Sequence, residues 1–192
     1  MILNDKNKTI YFLLFLASLF FSFFYGENSS GGAKLDHAIT KSYVDNFALG
    51  YNTGFKYFGN QIHSPFFYIL LAETKKIFSP NILSIIYIFI SSSIPIIFYL
   101  TLKKKFSRVN TNTLFALSLL IFFSPYFRSS AVWLTNDNLA LLFFVLSINK
   151  YVHFTEVQNK KFQNFILCLF FLILASYIRQ NYAIFSVFYF VK

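Results

Sequence analysis

Long apolar runs separated by short polar segments limit what this chain can fold into. The first run covers residues 10–26, and its only polar side chains are Ser18 and Ser22. Together with Thr9 it would reach about 27 Å as a helix, close to the roughly 30 Å hydrocarbon core of a bilayer. Further runs lie at residues 82–102, 113–127, 139–152 and 162–178, and another begins at residue 182. The pattern predicts an all-α fold, a polytopic bundle of transmembrane helices.

The composition favours a membrane protein over a soluble domain. Hydrophobic residues make up 56% of the chain and charged residues only 12%, whereas soluble domains are about a quarter charged. The net charge of +10 could indicate nucleic-acid binding, but the basic residues gather at the ends of apolar runs, as at Lys103, Lys104 and Lys105. That placement is typical of loop charges that set membrane orientation, so we expect no nucleic-acid partner. The single cysteine, Cys168, allows no intrachain disulfide.

Two groups of basic residues predict the same orientation in the membrane. Lys6 and Lys8 precede the first run, which places the N-terminus in the cytoplasm, and the basic segment 103–108 ends the second run on that same side. A cleaved signal peptide is the alternative for the first run, but Phe24, Tyr25 and Glu27 make a poor small-residue cleavage site. We therefore expect an uncleaved first helix and an external loop over residues 27–80.

The external loop contains the longest polar interval of the chain, residues 27–64, with three of the seven acids. Residues 35–49 have the periodicity of an amphipathic helix. The predicted apolar stripe consists of Leu35, Ile39, Tyr43 and Phe47. The predicted solvated face consists of His37, Lys41 and Asp45. Asp36 falls on the apolar side, and because an inward-facing carboxylate is costly unless it has a partner or a role, it is the first candidate for a functional acid.

Further candidates lie at the outer ends of the predicted spans. The apolar run at residues 66–72 is too short to cross the bilayer and predicts a helix in the outer interface. Arg128 and Asp137 belong to a second external turn, and Arg179 follows the run at residues 162–178. The candidate site residues therefore come from three external connections: Asp36, His37, His63, Arg128, Asp137 and Arg179. The sequence has no metal-spaced Cys/His cluster and no glycine-rich phosphate loop, and spacing alone does not bring these residues into one cavity.

Four short motifs follow one another along the chain. They are Leu35-Asp36-His37, His63-Ser64-Pro65-Phe66-Phe67-Tyr68, Thr135-Asn136-Asp137-Asn138-Leu139 and Tyr177-Ile178-Arg179. Their order resembles the N-terminal part of the GT-C membrane glycosyltransferases, in particular the bacterial relatives of protein mannosyltransferases and of the lipid A aminoarabinose transferase. Two departures from the family pattern, His37 in place of a glutamate and Ser64 in place of a proline, leave metal use and the acceptor open.

The resemblance implies an enzyme of the bacterial inner membrane. It would move a sugar from a polyprenyl-phosphate carrier to an acceptor glycan, lipid or protein at the outer face, with inversion at the anomeric carbon. The implied partners are membrane lipids and the lipid-linked donor; no cofactor is certain, and a divalent metal stays open. Members of the family have more spans and often a soluble C-terminal domain, so we expect residues 1–192 to be a single N-terminal region, cut short.

The resemblance also implies a role for each candidate residue. Asp36 would be the catalytic base, and Arg128 and Arg179 would bind the carrier phosphate, because a guanidinium matches phosphate oxygens in a bidentate way. His63 would donate to that phosphate or line the carrier groove. The substrate-binding set is completed by His37 and Asp137.

Each candidate has a structural interpretation as well. Asp36 could cap its helix, His63 could pack beside Pro65, and both arginines could extend to the headgroup level. Asp137 could be the N-cap of the following helix, with Asn138 sharing that role, and we favour this interpretation of Asp137.

Two other functions compete with the glycosyltransferase. A transporter or flippase fragment for lipid-linked sugars would carry polar residues near the middle of its spans, where this sequence has few ionisable groups. A non-catalytic membrane subunit would give no reason for an inward-facing Asp36.

Overall fold

The computed structural model describes residues 5–59, 64–156 and 162–190. Every regular element in these ranges is helical, which confirms the all-α prediction. The α-helices are α1 (Asp5–Tyr25), α2 (Ala33–Leu49), α3 (Tyr51–Phe58), α4 (Phe66–Lys75), α5 (Pro80–Lys105), α6 (Thr111–Leu119), α7 (Pro125–Trp133), α8 (Asn136–Glu156), α9 (Phe162–Ile178) and α10 (Ser186–Phe190). Two 3₁₀ segments, Leu120–Phe123 and Gln180–Phe185, follow α6 and precede α10.

Two helices are long and apolar enough to cross a membrane, judged by length and composition. They are α1, over Lys6–Tyr25, and α5. The segment from α6 to α7 is a third candidate if it forms one span, although it bends by 64°. These helices are consistent with membrane association. The predicted topology stays a prediction, as do the further spans, although α8 and α9 cover the runs at residues 139–152 and 162–178.

The bend before α7 follows from Ser124 and Pro125. Pro125 lacks a backbone N–H and occupies the first turn of α7, where a free N–H has no partner within the helix. Ser124 has an extended backbone, and its hydroxyl accepts a hydrogen bond from the Phe127 N–H at 3.4 Å. The Ser-Pro pair therefore ends one helical segment and caps the next.

The buried apolar residues form two clusters. The first joins the loop helices α2, α3 and α4 to the bundle and includes Phe47, Phe58, Tyr68, Tyr87 and Ile178. The second joins α1 to α5, α6 and α7 and includes Leu19, Ile88, Phe115 and Phe127. Because the first cluster contains residues from the N-terminal half of α5, it packs the loop helices against that end of the bundle.

The buried face of α2 differs from the predicted stripe. The residues that the structure buries are Ala33, Thr40, Val44 and Phe47. Leu35 and Ile39 are instead 69% and 48% exposed, and Asp36 is exposed as well, so the prediction of an inward-facing Asp36 is wrong. The reason is that the first half of α2 packs through small and polar side chains, among them Thr40 and the half-buried His37, which a stripe drawn from hydrophobicity leaves out, whereas Phe47 of the predicted stripe is buried.

Candidate functional site

Two candidates from separate connections, Asp137 and Arg179, form an ion pair. Nη2 of Arg179 donates a hydrogen bond to Oδ1 of Asp137, and both side chains are partly exposed. The other carboxylate oxygen of Asp137 accepts a hydrogen bond from the Thr135 hydroxyl at 3.0 Å. The Thr135 hydroxyl therefore holds the Asp137 carboxylate in position, and both side chains of the ion pair remain partly accessible to solvent.

The start of α8 explains why the Asp137 carboxylate is available for this pair. α8 begins at Asn136, so Asp137 lies in the first turn and is not the N-cap, which corrects the interpretation favoured from the sequence. The free N–H groups of this turn find partners on other helices. The Asn138 N–H donates to the Ser130 hydroxyl at 3.2 Å, and the Leu139 N–H donates to the Tyr87 hydroxyl at 3.2 Å.

Arg179 follows α9 directly and has an extended backbone, with φ −137° and ψ 107°. Its N–H still donates to the Ala175 carbonyl at 2.8 Å, and its own carbonyl accepts from the Tyr182 N–H at 3.1 Å. The residue thus sits between a helix end and a 3₁₀ segment. This local geometry directs the guanidinium across to the start of α8.

Tyr68 brings Asp36 into the same region. Tyr68 lies on α4 and is 7% exposed. Burial is the main cause that raises the pKa of its phenol; the Tyr43 phenol and the Asp36 carboxylate add to the increase, and the Arg179 guanidinium opposes it. The charges of Asp36 and Arg179 therefore both act on one hydroxyl, although the two residues lie on different helices. We call Asp36, Tyr68, Asp137 and Arg179 the Tyr68 site.

The Asp36 carboxylate is not engaged in a structural contact with the other described residues. The N-cap of α2 is Gly32, and no side-chain capping hydrogen bond occurs there, so Asp36 does not cap its helix. Within the described ranges its carboxylate forms no hydrogen bond and no ion pair. The Tyr68 site therefore offers an exposed carboxylate, a phenol that stays protonated at neutral pH, and a guanidinium, which together can accept a proton and bind an anion.

Arg128 lies elsewhere. Its Nε and Nη2 donate to the two carboxylate oxygens of Glu27 at 2.9 and 2.8 Å, and its Nη1 donates to the Ser18 hydroxyl at 3.1 Å. The hydrogen bonds from Arg128 are the largest cause that lowers the pKa of Glu27 to about 2, while burial opposes them. The guanidinium thus connects α7 to the C-terminal end of α1. The predicted role of Arg128 in phosphate binding stays a prediction. Its guanidinium already has a carboxylate partner, Glu27.

His37 lines a cavity whose lining does not include Asp36. The imidazole lies 5.7 Å from the Trp133 ring and lines a 240 Å³ cavity together with Lys41, Asp45 and Lys75. Burial is the main cause that lowers its pKa; a backbone hydrogen bond with Trp133 opposes that effect, and the charge of Lys41 adds to it. Its Nδ1 is buried and has no hydrogen-bond partner among the described residues. The expectation of a solvated face is therefore wrong for His37.

Other expectations about the site have different outcomes. His63 lies outside the described residues. Among the residues that the structure describes, no group of three or more His, Cys, Asp or Glu side chains is placed to hold a metal ion. Tyr68 belongs to the second of the four motifs, but the sequence did not single it out as a candidate, because a tyrosine in an apolar run is usually a core residue.

Comparisons with known proteins identify no relative. No protein-family model matches the chain, and neither a curated protein nor a solved structure is significantly similar to it. The resemblance to the GT-C enzymes therefore rests on the four motifs alone.

Proposed function

We propose that this chain is part of a membrane glycosyltransferase of the GT-C type, which transfers a sugar from a polyprenyl-phosphate carrier to an acceptor at the outer face of the membrane. One observation carries the proposal. Asp36, Asp137 and Arg179 come from three connections far apart in the sequence. The charges of Asp36 and Arg179 both act on the Tyr68 hydroxyl, and Asp137 forms an ion pair with Arg179. An exposed carboxylate and a guanidinium are the two kinds of group that sugar transfer from a phosphate requires.

The residues take complementary parts in the reaction. The acceptor hydroxyl oxygen attacks the anomeric carbon, and its proton passes to the Asp36 carboxylate. The bond between the anomeric carbon and the phosphate oxygen breaks, and the phosphate leaves with the electron pair. Arg179 binds the negative charge of that phosphate. Because the raised pKa of Tyr68 keeps its phenol protonated, this hydroxyl can donate a hydrogen bond to the donor sugar or the phosphate.

Asp137 is a positioning residue in this proposal. It holds the Arg179 guanidinium through Nη2. Among the described residues, the other guanidinium nitrogens of Arg179 have no acceptor, so they remain available for a phosphate. Asp137 also keeps the net charge of the pair near zero until the anionic donor binds.

The position of the site in the bundle supports an external location. The first core cluster joins Tyr68 to Tyr87 near the start of α5. Lys103, Lys104 and Lys105 occupy the opposite end of the same helix. If those lysines face the cytoplasm, as the distribution of basic residues predicts, the Tyr68 site faces outward, where polyprenyl-linked donors would be used.

The test compares Asp36→Asn with Asp45→Asn in the full-length protein in native membranes. Asp45 lies on the same helix and pairs with Lys75 on the other flank, so it is a matched control. Asp36→Asn should lower sugar transfer from a radiolabelled lipid-linked donor by about 10²-fold or more, the usual contribution of a general base. Asp45→Asn should retain transfer within about twofold, and both variants should be as abundant as the wild type.

Transfer at the wild-type rate by Asp36→Asn would refute the proposed base. Movement of the lipid-linked sugar across vesicles without a glycosylated product would instead support the transporter alternative. A conservative Arg179→Lys variant separates binding from chemistry: it should raise the KM for the donor, because lysine cannot bind phosphate in a bidentate way.

A further inference from the structure

The cavity that His37 lines lies between α2, α4 and the start of α5. Its volume is 240 Å³. α2 contributes Thr40 and Lys41 to the lining, α4 contributes Lys75, and α5 contributes its first residues. The lining includes no member of the Tyr68 site. Three helices thus enclose a polar space that the proposed sugar transfer does not use.

The start of α5 directs free backbone donors toward this space. Its N-cap residue, Ser79, forms no side-chain capping hydrogen bond, and Pro80 has no N–H. The Leu83 N–H donates to the Ser79 carbonyl at 3.0 Å. The N–H groups of Asn81 and Ile82 have no acceptor among the described residues. Free N–H groups at the start of a long helix attract anions, because the helix dipole adds partial positive charge there.

Thr40 is an independent sign of a ligand in the same cavity. The residue is only 8% exposed, and it lines the cavity. Its hydroxyl forms no hydrogen bond with any described residue, not even with the Asp36 carbonyl one turn earlier on α2. Nδ1 of His37 is likewise buried and without a described partner. Buried polar groups without partners are costly, so these side chains favour a bound molecule that supplies the missing hydrogen bonds.

The charges that line the cavity favour an anion. Lys75 forms an ion pair with Asp45, so those two charges balance. Lys41 is exposed, and its ammonium group has no acidic partner among the described residues. His37 is neutral at pH 7, because burial lowers its pKa. The lining therefore carries a net charge of +1, from two lysines and one aspartate.

We propose that this cavity is a binding site for a phosphate group. The phosphate oxygens accept hydrogen bonds from the free N–H groups of α5, from the Thr40 hydroxyl and from the Lys41 ammonium group. A phosphate group offers these donors three strongly accepting oxygens, whereas a carboxylate offers two. A lipid head group and a soluble phosphate ester share this chemistry. The proposal does not depend on the glycosyltransferase function.

The test is isothermal titration calorimetry of the full-length protein, purified in an uncharged detergent. Glycerol phosphate is the soluble probe, and dioctanoyl phosphatidic acid is the lipid probe. Lys41→Gln should weaken binding about tenfold, because a hydrogen bond from a charged donor is lost. Thr40→Val should weaken binding about fivefold, because it removes a neutral donor and keeps the shape of the side chain. The control is Lys56→Gln, which removes the same charge from an exposed position on α3 outside the cavity lining and should change the affinity by less than about twofold.

The two probes identify the source of the phosphate. Tighter binding of phosphatidic acid would identify a lipid head group, and equal or tighter binding of glycerol phosphate would identify a soluble ester. Absence of binding by both probes would overturn the proposal, as would binding that neither Lys41→Gln nor Thr40→Val weakens. Equal weakening by Lys56→Gln and Lys41→Gln would overturn it in favour of general surface charge. Lys41 is exposed, so its variant should fold and gives a result even if Thr40→Val is unstable.

Discussion

The contact between Glu27 and Arg128 makes a quantitative prediction about stability. Both side chains are only 22% exposed. Lowering the pKa of Glu27 from 4.5 to about 2 corresponds to about 3 kcal/mol of stabilisation, at roughly 1.4 kcal/mol per pH unit. Because the pair keeps some contact with solvent, we reduce this value and expect Glu27→Gln to lower the free energy of unfolding by about 1–2 kcal/mol at pH 7.

The same contact predicts a pH dependence with a definite sign. The folded pKa of Glu27 lies below the unfolded value, so the unfolded state takes up the proton first as the pH falls. The stabilisation is therefore complete above about pH 5 and is lost progressively between about pH 4.5 and pH 2. Glu27→Gln lacks this charge at every pH, so the difference in stability between wild type and variant should shrink over that range.

Trp133 provides the assay. It is the single tryptophan of the chain, and its indole N–H donates to the Glu27 carbonyl at 2.6 Å. Its fluorescence during unfolding in SDS therefore reports on the contact between α7 and the segment around Glu27. The control is Glu73→Gln, which alters an exposed acid on α4 and should leave the unfolding midpoint unchanged. A Glu27→Gln variant as stable as the wild type at pH 7, or a stability difference that does not change down to pH 3, would refute the assignment.

Two further predictions concern packing. Asn138→Ala should lower the free energy of unfolding by about 2–3 kcal/mol in the same SDS titration, because it removes a fully buried amide that bonds to α5 and α7 and leaves their acceptors without a donor. Gly54→Ala should cost about 1–3 kcal/mol, because the added methyl group collides with the ring of the buried Phe47. Gly32→Ala has open space around the new methyl group and should be tolerated; equal losses for the two glycine variants would contradict the Phe47 collision.

The helical elements were largely predictable from the sequence, because apolar runs and helix breakers act locally. The run at residues 82–102 lies within the helix Pro80–Lys105, and Ser124 with Pro125 marks the bend before α7. These features depend on backbone chemistry and on the length of a run. Neither requires knowledge of which segments touch.

The orientation of individual side chains was less predictable. The predicted stripe puts Asp36 on the apolar side of the helix, between Tyr43 and Phe47, whereas the structure leaves this side exposed at Leu35 and Ile39. The actual neighbours of α2 pack against Thr40 and His37 instead. The side of a helix that becomes buried depends on which other elements pack against it. The sequence of the helix alone does not contain this information.

Pairings between distant residues were the least predictable part of the site. Glu27 and Arg128 are 101 residues apart, and Asp137 and Arg179 are 42 residues apart. The sequence placed both arginines at outer ends of spans, but it contained no signal for which acid each would meet. That choice depends on how α1, α7, α8 and α9 pack, and it separates Arg128 from the Tyr68 site.

The central claim is that Asp36 is presented to an anionic sugar donor on the outer side of the membrane, and cysteine labelling tests that location directly. In a Cys168→Ser background, which removes the single native thiol, Asp36→Cys and Lys105→Cys are each treated with a membrane-impermeant maleimide in spheroplasts. We predict that position 36 is labelled in intact spheroplasts and that position 105 is labelled only after permeabilisation. Labelling of position 105 but not of position 36 in intact spheroplasts would contradict the account.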